Sequence, residues 1–216
     1  MAKAKKGNKK THIAIVVDRS GSMSSIRKSA LDGLNETING IIQDGDLGGE
    51  TDVTVVLFDN EIEVVLENVP SNMMTKFTEE DYIPRGTTAL YDAIMQAVNS
   101  IADADETDDT GYLVTVISDG HENASKTPQS EISSLIKQLE GQGNWTFNFM
   151  LANQDIHQFV ATMGATLGNV ASFAATEQGV TTAYVNMTDS NTRYLRSRSF
   201  GATQALDSYS PVDSNA

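Results

Sequence analysis

Short, continuous apolar runs, too brief to be buried helices, alternate along this chain with stretches whose apolar residues recur every three or four positions. A strand that is apolar at every position has to be covered on both faces, which is what a parallel sheet flanked by helices provides. The first run, Ile13-Ala14-Ile15-Val16-Val17, ends in Asp18 and a Gly/Ser loop, and a helix with Ile26, Ala30, Leu34, Ile38 and Ile41 on one side follows until Asp44-Gly45. Val53 to Phe58 and Ile62 to Leu66 meet at Asp59-Asn60, a pair suited to a tight hairpin, and this places an antiparallel strand at one sheet edge. After an irregular connection through Pro70 and Pro84, a second helix carries Leu90, Ile94, Ala97 and Ile101. Tyr112 to Ile117 is the second buried strand, running into Ser118-Asp119-Gly120. Ile132, Leu135, Ile136 and Leu139 mark a third helix, Trp145 to Leu151 a strand, Ile156, Phe159, Val160 and Met163 a fourth helix, and Val170 to Ala174 a short strand. Val180, Tyr184, Met187, Tyr194 and Leu195 line a last helix, against the poor propensity of Thr181, Thr182, Thr188 and Asn191. The expected fold is α/β: a doubly wound, mostly parallel six-stranded sheet with one antiparallel edge strand and helices on both faces. No internal repeat interrupts it.

At 216 residues the chain has length for one sizeable core. We expect a basic N-terminal tail over 1–11, one domain over 12–197 and a polar tail over 198–216. A formal net charge of -14 argues against nucleic-acid binding by the folded body, because phosphate contact needs a basic face. The lysines that crowd the N-terminus, Lys3, Lys5, Lys6, Lys9 and Lys10, read either as a solubilising tail or as a polyanion-binding arm. No apolar stretch has the length of a membrane span, and the apolar run behind Lys10, Ile13 to Val17, is shorter than the core of a secretory signal, so neither membrane insertion nor a secretory signal is expected. Without cysteine there is no disulfide and no thiolate metal site.

In a doubly wound sheet, ligands bind at the carboxyl ends of the strands where the winding reverses. Both central strands end there in aspartate. Asp18-Arg19-Ser20-Gly21-Ser22 carries oxygen at alternate positions, with Gly21 for the turn, so its side chains can converge on one point. Arg85-Gly86-Thr87-Thr88-Ala89 adds a hydroxyl at a helix start, and Ser118-Asp119-Gly120 adds the second carboxylate.

In these pieces and their strand context, Ile13 through about Ala175 resembles the von Willebrand factor type A domain with its metal-ion-dependent adhesion site. The resemblance is nearest to small stand-alone prokaryotic and phage members, which share the look of Gly86-Thr87-Thr88-Ala89-Leu90-Tyr91-Asp92-Ala93-Ile94, of Ser118-Asp119-Gly120-His121-Glu122-Asn123-Ala124-Ser125 and of Leu151-Ala152-Asn153-Gln154-Asp155. It implies that Ser20, Ser22 and Thr88 offer neutral hydroxyls to a metal, and that Asp18 and Asp119 bind it directly or through water. Thr87 rivals Thr88, because Gly-Thr-Thr stands here where relatives often read Gly-Gly-Thr. All-oxygen ligation with few carboxylates favours Mg2+, with Mn2+ or Ca2+ as substitutes. Such a site keeps an open position for a carboxylate from a protein partner. The location expected is cytoplasmic, or virion-associated for a phage protein.

His121 is the histidine nearest the cluster and reads as a rim residue rather than a general base, while His12 and His157 are too scattered for a zinc trio. Glu122 reads as rim, and Arg19 and Arg85 as solvated residues flanking the cleft, with attraction of an acidic partner as the alternative. Asp92 fits the helix macrodipole or support of a ligand. Trp145 and Met73-Met74 read as packing, and the acids from Asp103 to Asp109 as a solvated loop rather than a second cation site. Two further functions stay open: a Mg2+-dependent hydrolase or phosphoryl-transfer enzyme, and a structural subunit whose metal is only a strut. Against the enzyme, the chain has neither a Gly-x-x-x-x-Gly-Lys-Ser/Thr loop nor a Gly-x-Ser-x-Gly turn.

Overall fold

The computed structural model describes residues 9–102, 109–205 and 207–209. Its strands are β1 (Lys10–Asp18), β2 (Glu50–Phe58), β3 (Ile62–Pro70), β4 (Thr110–Ser118), β5 (Trp145–Ala152) and β6 (Val170–Phe173). Its helices are α1 (Arg27–Asp44), α2 (Leu90–Ala102), α3 (Gln129–Glu140), α4 (Ile156–Met163) and α5 (Glu177–Ser199). The strands form one six-stranded sheet in the order β3-β2-β1-β4-β5-β6, parallel except for the edge strand β3, which runs antiparallel to β2.

Two cores explain the unbroken apolar strands. Ile13, Ile15 and Val17 of β1 face α1 and α5, whereas Ala14 and Val16 face α2, α3 and α4. Since successive side chains point to opposite faces, a strand shared by both cores has no solvent-facing position left for a polar residue. Trp145 joins the second core and stacks on Tyr112 with ring centroids 4.1 Å apart. Met74 is buried, while its neighbour Met73 is exposed.

The β2–β3 connection differs from the expected two-residue turn. Phe58 pairs with Ile62, so three residues form the loop, closed by the Asp59 N–H donating to Glu61 O at 3.0 Å and the Glu61 N–H donating to Asp59 Oδ1 at 2.8 Å. The helix after β1 is also preceded by a 3-10 turn over Gly21–Ile26, which spaces α1 from the strand end.

α5 forms despite its threonines because tertiary contacts hold it. Thr37 and Thr188 hydroxyls meet at 3.0 Å, Thr115 donates to Asn191 at 3.1 Å, and Asn148 donates to Ser190 at 3.0 Å. Gly33 admits the Tyr184 ring, since a methyl group there would lie 2.3 Å from its Cγ.

The segment from Arg198, assigned from the sequence to the polar tail, packs on the domain as far as it is described. Buried Arg198 donates to Lys10 O, Ala202 O and Asp109 O, tying the end of α5 to the starts of β1 and β4. Beyond it, Gln204 donates to Glu140 O and Trp145 O, and the Tyr209 N–H donates to Gly168 O while its ring is buried. This segment docks through hydrogen bonds more than through apolar side chains, which a polar composition does not reveal. At the other end Lys10, assigned to the basic tail, opens β1 and pairs with Asp52 at 2.6 Å. Residues 1–8, and 103–108 of the acidic stretch weighed as a second cation site, lie outside the described residues. No helix among the described residues is long and apolar enough to cross a membrane.

Candidate metal centre

β2 lies on one side of β1 and β4 on the other, so the winding reverses between β1 and β4 and a crevice opens at their carboxyl ends. Val17 pairs with Ile117, which sets Asp18 beside Ser118. The Asp18 carboxylate is fully buried: Oδ1 accepts the Ser20 N–H at 2.6 Å, and Oδ2 accepts the Ser118 hydroxyl. Ser20 Oγ lies 3.1 Å from Ser22 Oγ, and Ser22 donates to Asp119 Oδ1 at 2.6 Å. A methyl group at Gly120 would stand 2.8 Å from Thr88 Oγ1 and 3.6 Å from Asp18 Oδ2, so the Thr88 hydroxyl also reaches this point. Thr88 is buried with its oxygen turned inward, whereas Thr87 is exposed. The side chains of Asp18, Ser20, Ser22, Thr88 and Asp119 thus come together from three loops.

Backbone bonds fix those loops to one another. The Gly21 N–H donates to Gly86 O at 3.2 Å, Arg85 N–H to Arg19 O at 2.8 Å, and Ala89 N–H to Asp59 O at 2.8 Å. Gly86 has φ +65°, a conformation that favours glycine, and a Cβ there would also displace the Asn60 side-chain amide. The Tyr82 hydroxyl, from the long connection before α2, donates to Asp18 O at 2.5 Å. Asn123 brackets Thr88, accepting its N–H at 3.0 Å and donating its own N–H to Thr88 O at 3.0 Å.

Burial pushes the Asp18 carboxyl up to about 6, against the lowering effect of the Ser118 and Ser20 hydrogen bonds, and the charge of Asp119 adds to the rise. Burial raises Asp119 as well, opposed by Ser22. Neither carboxylate is paired with a basic side chain among the described residues, because the two nearby arginines turn away. Arg19 Nε donates to Asp59 Oδ2 at 2.9 Å and its NH1 to Glu63 at 2.6 Å; Arg85 Nε reaches the same Asp59 oxygen at 2.9 Å and its NH2 reaches Glu61 at 2.7 Å. The expectation of solvated arginines is corrected for Arg19, which is buried; Arg85 stays exposed while it pairs with Asp59 and Glu61. Burial works against charge on Asp59, but bonds from Arg85, the Glu61 N–H and Arg19 outweigh it and hold that carboxyl below its usual range.

Asp59 is the organising residue that sequence reasoning missed. Asp-Asn between two strands signals a turn, and nothing local marks an aspartate whose partners lie 40 and 26 positions away. Glu122 organises the loop after β4: Oε1 accepts the Ala124 and Ser125 N–H groups, while Oε2 accepts the Ser125 hydroxyl and the Tyr91 N–H at the start of α2. Asp92, in the first turn of α2, accepts the Lys126 N–H at 3.0 Å and the Thr127 N–H at 2.8 Å, which ties the same loop down. His121 is exposed, and its Nδ1 lies 3.1 Å from Gln154 Nε2.

Two desolvated carboxylates without a basic partner, ringed by three hydroxyls, form a donor set that a hard divalent cation would satisfy. Such a cation would supply the charge that burial otherwise makes costly. Among the described residues no group of three or more His, Cys, Asp or Glu side chains is placed to hold a metal, so a cation held here would depend on the hydroxyls.

The family description von Willebrand factor type A domain matches residues 12–195. The chain belongs to this family. The matched stretch of this type A domain begins within β1 and stops inside α5, before the docked segment that follows Ser199. Among curated proteins, none matches the sequence. Several solved structures share the fold. The mussel byssus proximal thread matrix protein 1, solved with a zinc-occupied MIDAS motif, superposes with a TM-score of 0.61 at 18% identity over 83% of this chain and 47% of that one. A von Willebrand factor type A protein from Catenulispora acidiphila gives 0.59 at 17% identity, over 83% of this chain and 42% of that one. The corresponding domain of the type V pilus tip protein Mfa5 from Porphyromonas gingivalis gives 0.60 at 11% identity, over 86% and 96%. The type A domain described here thus spans less than half of the mussel and Catenulispora chains.

Proposed function

We propose that this domain is a non-enzymatic, divalent-cation-dependent protein-binding module. Asp18, Ser20, Ser22, Thr88 and Asp119 would hold Mg2+, with Mn2+ or Ca2+ able to replace it, and an Asp or Glu of the partner would complete the coordination. When bound, the cation supplies an electrophilic site that attracts an anion, because several of its ligands are uncharged. The observation that carries the reading is the convergence of those five side chains, among them the buried Asp18 and half-buried Asp119 carboxylates, neither of which has a basic partner among the described residues. The zinc-occupied motif of the mussel protein supports a divalent cation at the corresponding place in the fold.

Binding is favoured over catalysis by what engages the two side chains after Gly120 that could act as bases. Both Glu122 oxygens are taken up by loop N–H and hydroxyl donors, and the His121 ring meets Gln154. The neighbours named as a byssus matrix protein and a pilus tip protein are structural and adhesive in kind, which agrees. We place the protein in the cytoplasm, or in a virion if its source is a phage. The test is affinity capture from the native source with the wild-type chain and Asp119→Ala. Partners retained in Mg2+ and lost both with EDTA and with the variant support the reading. The same proteins under all conditions would leave the metal a strut or absent.

A further inference from the structure

Beside the cluster, a cavity of about 290 Å3 opens between the starts of α2, α3 and α4. Gly120 is the shared wall: it lines this cavity and also stands against Thr88 Oγ1 and Asp18 Oδ2. The floor is apolar. Leu151 and Met163 are buried there, and Phe159 is held against Phe149 with ring centroids 5.0 Å apart.

The rim is polar and carries two carboxylates but no lysine or arginine. His121 and Gln154 join the loops that follow β4 and β5, and Gln129 and Gln158 present side-chain amides that make no hydrogen bond within the described residues. The two acids at the cavity are engaged with backbone: Glu122 as described above, and Asp155 by accepting the His157 N–H at 2.9 Å and the Gln158 N–H at 3.0 Å. The cavity therefore disfavours an acidic occupant, and with both carboxylates engaged it offers the occupant chiefly the apolar floor and the amides. An apolar floor under unpaired amides suits a side chain with a large apolar body and a polar tip, the combination that tyrosine and tryptophan bring to interfaces.

We propose that this cavity is a second recognition subsite, taking a tyrosine or tryptophan side chain from the same partner segment whose carboxylate would reach the cation. The inference rests on the protein-binding reading above. A carboxylate alone hardly distinguishes one acidic surface from another, and a buried aromatic anchor beside it supplies the selectivity.

A random peptide library displayed on phage, panned on the full chain in Mg2+ and eluted with EDTA, tests both layers. The expected peptides share an Asp or Glu with a Tyr or Trp at fixed spacing, and replacing that aromatic by alanine weakens binding roughly tenfold or more. Gln158→Trp, filling the cavity from an exposed position on α4, should cause a similar loss while leaving Mg2+ binding and thermal stability unchanged. His121→Ala with Gln158→Ala repeats the test without added bulk, and on these variants the peptide's aromatic should matter less. Peptides that share only the acid, or an aromatic whose contribution survives every variant, overturn the subsite and leave cation-dependent binding standing. Recovery of no EDTA-sensitive peptide overturns both.

Discussion

Asp18 and Asp59 are both fully buried carboxylates, and their surroundings push them in opposite directions. Asp59 has two guanidinium partners; Asp18 has hydroxyls, one N–H and a carboxylate neighbour. Raising the Asp18 carboxyl from 3.8 to about 6 means that, without a cation, the folded state favours the protonated form. The stability this group contributes is full below about 3.8 and is lost as pH rises through about 6. Asp18→Asn should therefore stabilise the metal-free protein at pH 7 by roughly 1–3 kcal/mol, and its melting temperature should no longer respond to Mg2+ or EDTA. Thermal melts at pH 5 and pH 7 check this, the gain being smaller at the lower pH. Asp59 has the opposite sign: its contribution is present above the ordinary carboxylate range and disappears as acid protonates it. Asp59→Asn takes one of Arg19's two carboxylate partners, leaving Glu63, and should cost about 2 kcal/mol in denaturant unfolding at pH 7, with a smaller difference in acid. Wild-type-like stability would contradict the role assigned to it.

At the scale of elements, packing overrides local preference where the two conflict. Gly33 in the middle of α1 costs about 1 kcal/mol against alanine by propensity alone, so an isolated helix would gain from Gly33→Ala. In the fold the new methyl group would meet the Tyr184 ring of α5 at 2.3 Å. Overpacking of that kind costs about 1–3 kcal/mol, so the variant should be less stable overall, which urea unfolding measures directly. The alternation of apolar runs and helical periods was enough to read all six strands and five helices, because burial on both faces leaves a mark at every strand position. α5 was the least legible helix, since Thr181, Thr182, Thr188 and Asn191 speak against it and its support comes from Thr37, Thr115 and the space at Gly33. The segment after Ser199 was illegible for a related reason: its order depends on hydrogen bonds to β5 and to the loop before β6, and composition does not encode such contacts.

For the whole molecule, the sheet order determines where function can sit. β1 and β4 are adjacent yet lead their chains away to opposite sides, so the loops carrying Asp18, Thr88 and Asp119 meet at one end although the residues are far apart in sequence. That meeting point was legible because Asp-x-Ser-x-Ser follows an apolar strand. The bracing around it was not, since Asp59, Tyr82 and Asn123 are ordinary loop residues until the fold brings them in. Calorimetric titration of Mg2+ into the native chain at pH 7.5, beside Thr88→Val and Asp119→Ala, tests the central claim most directly. The account predicts one cation per chain, bound much more weakly by Thr88→Val and not detectably by Asp119→Ala. No binding to the native chain, or equal binding to all three proteins, would contradict it.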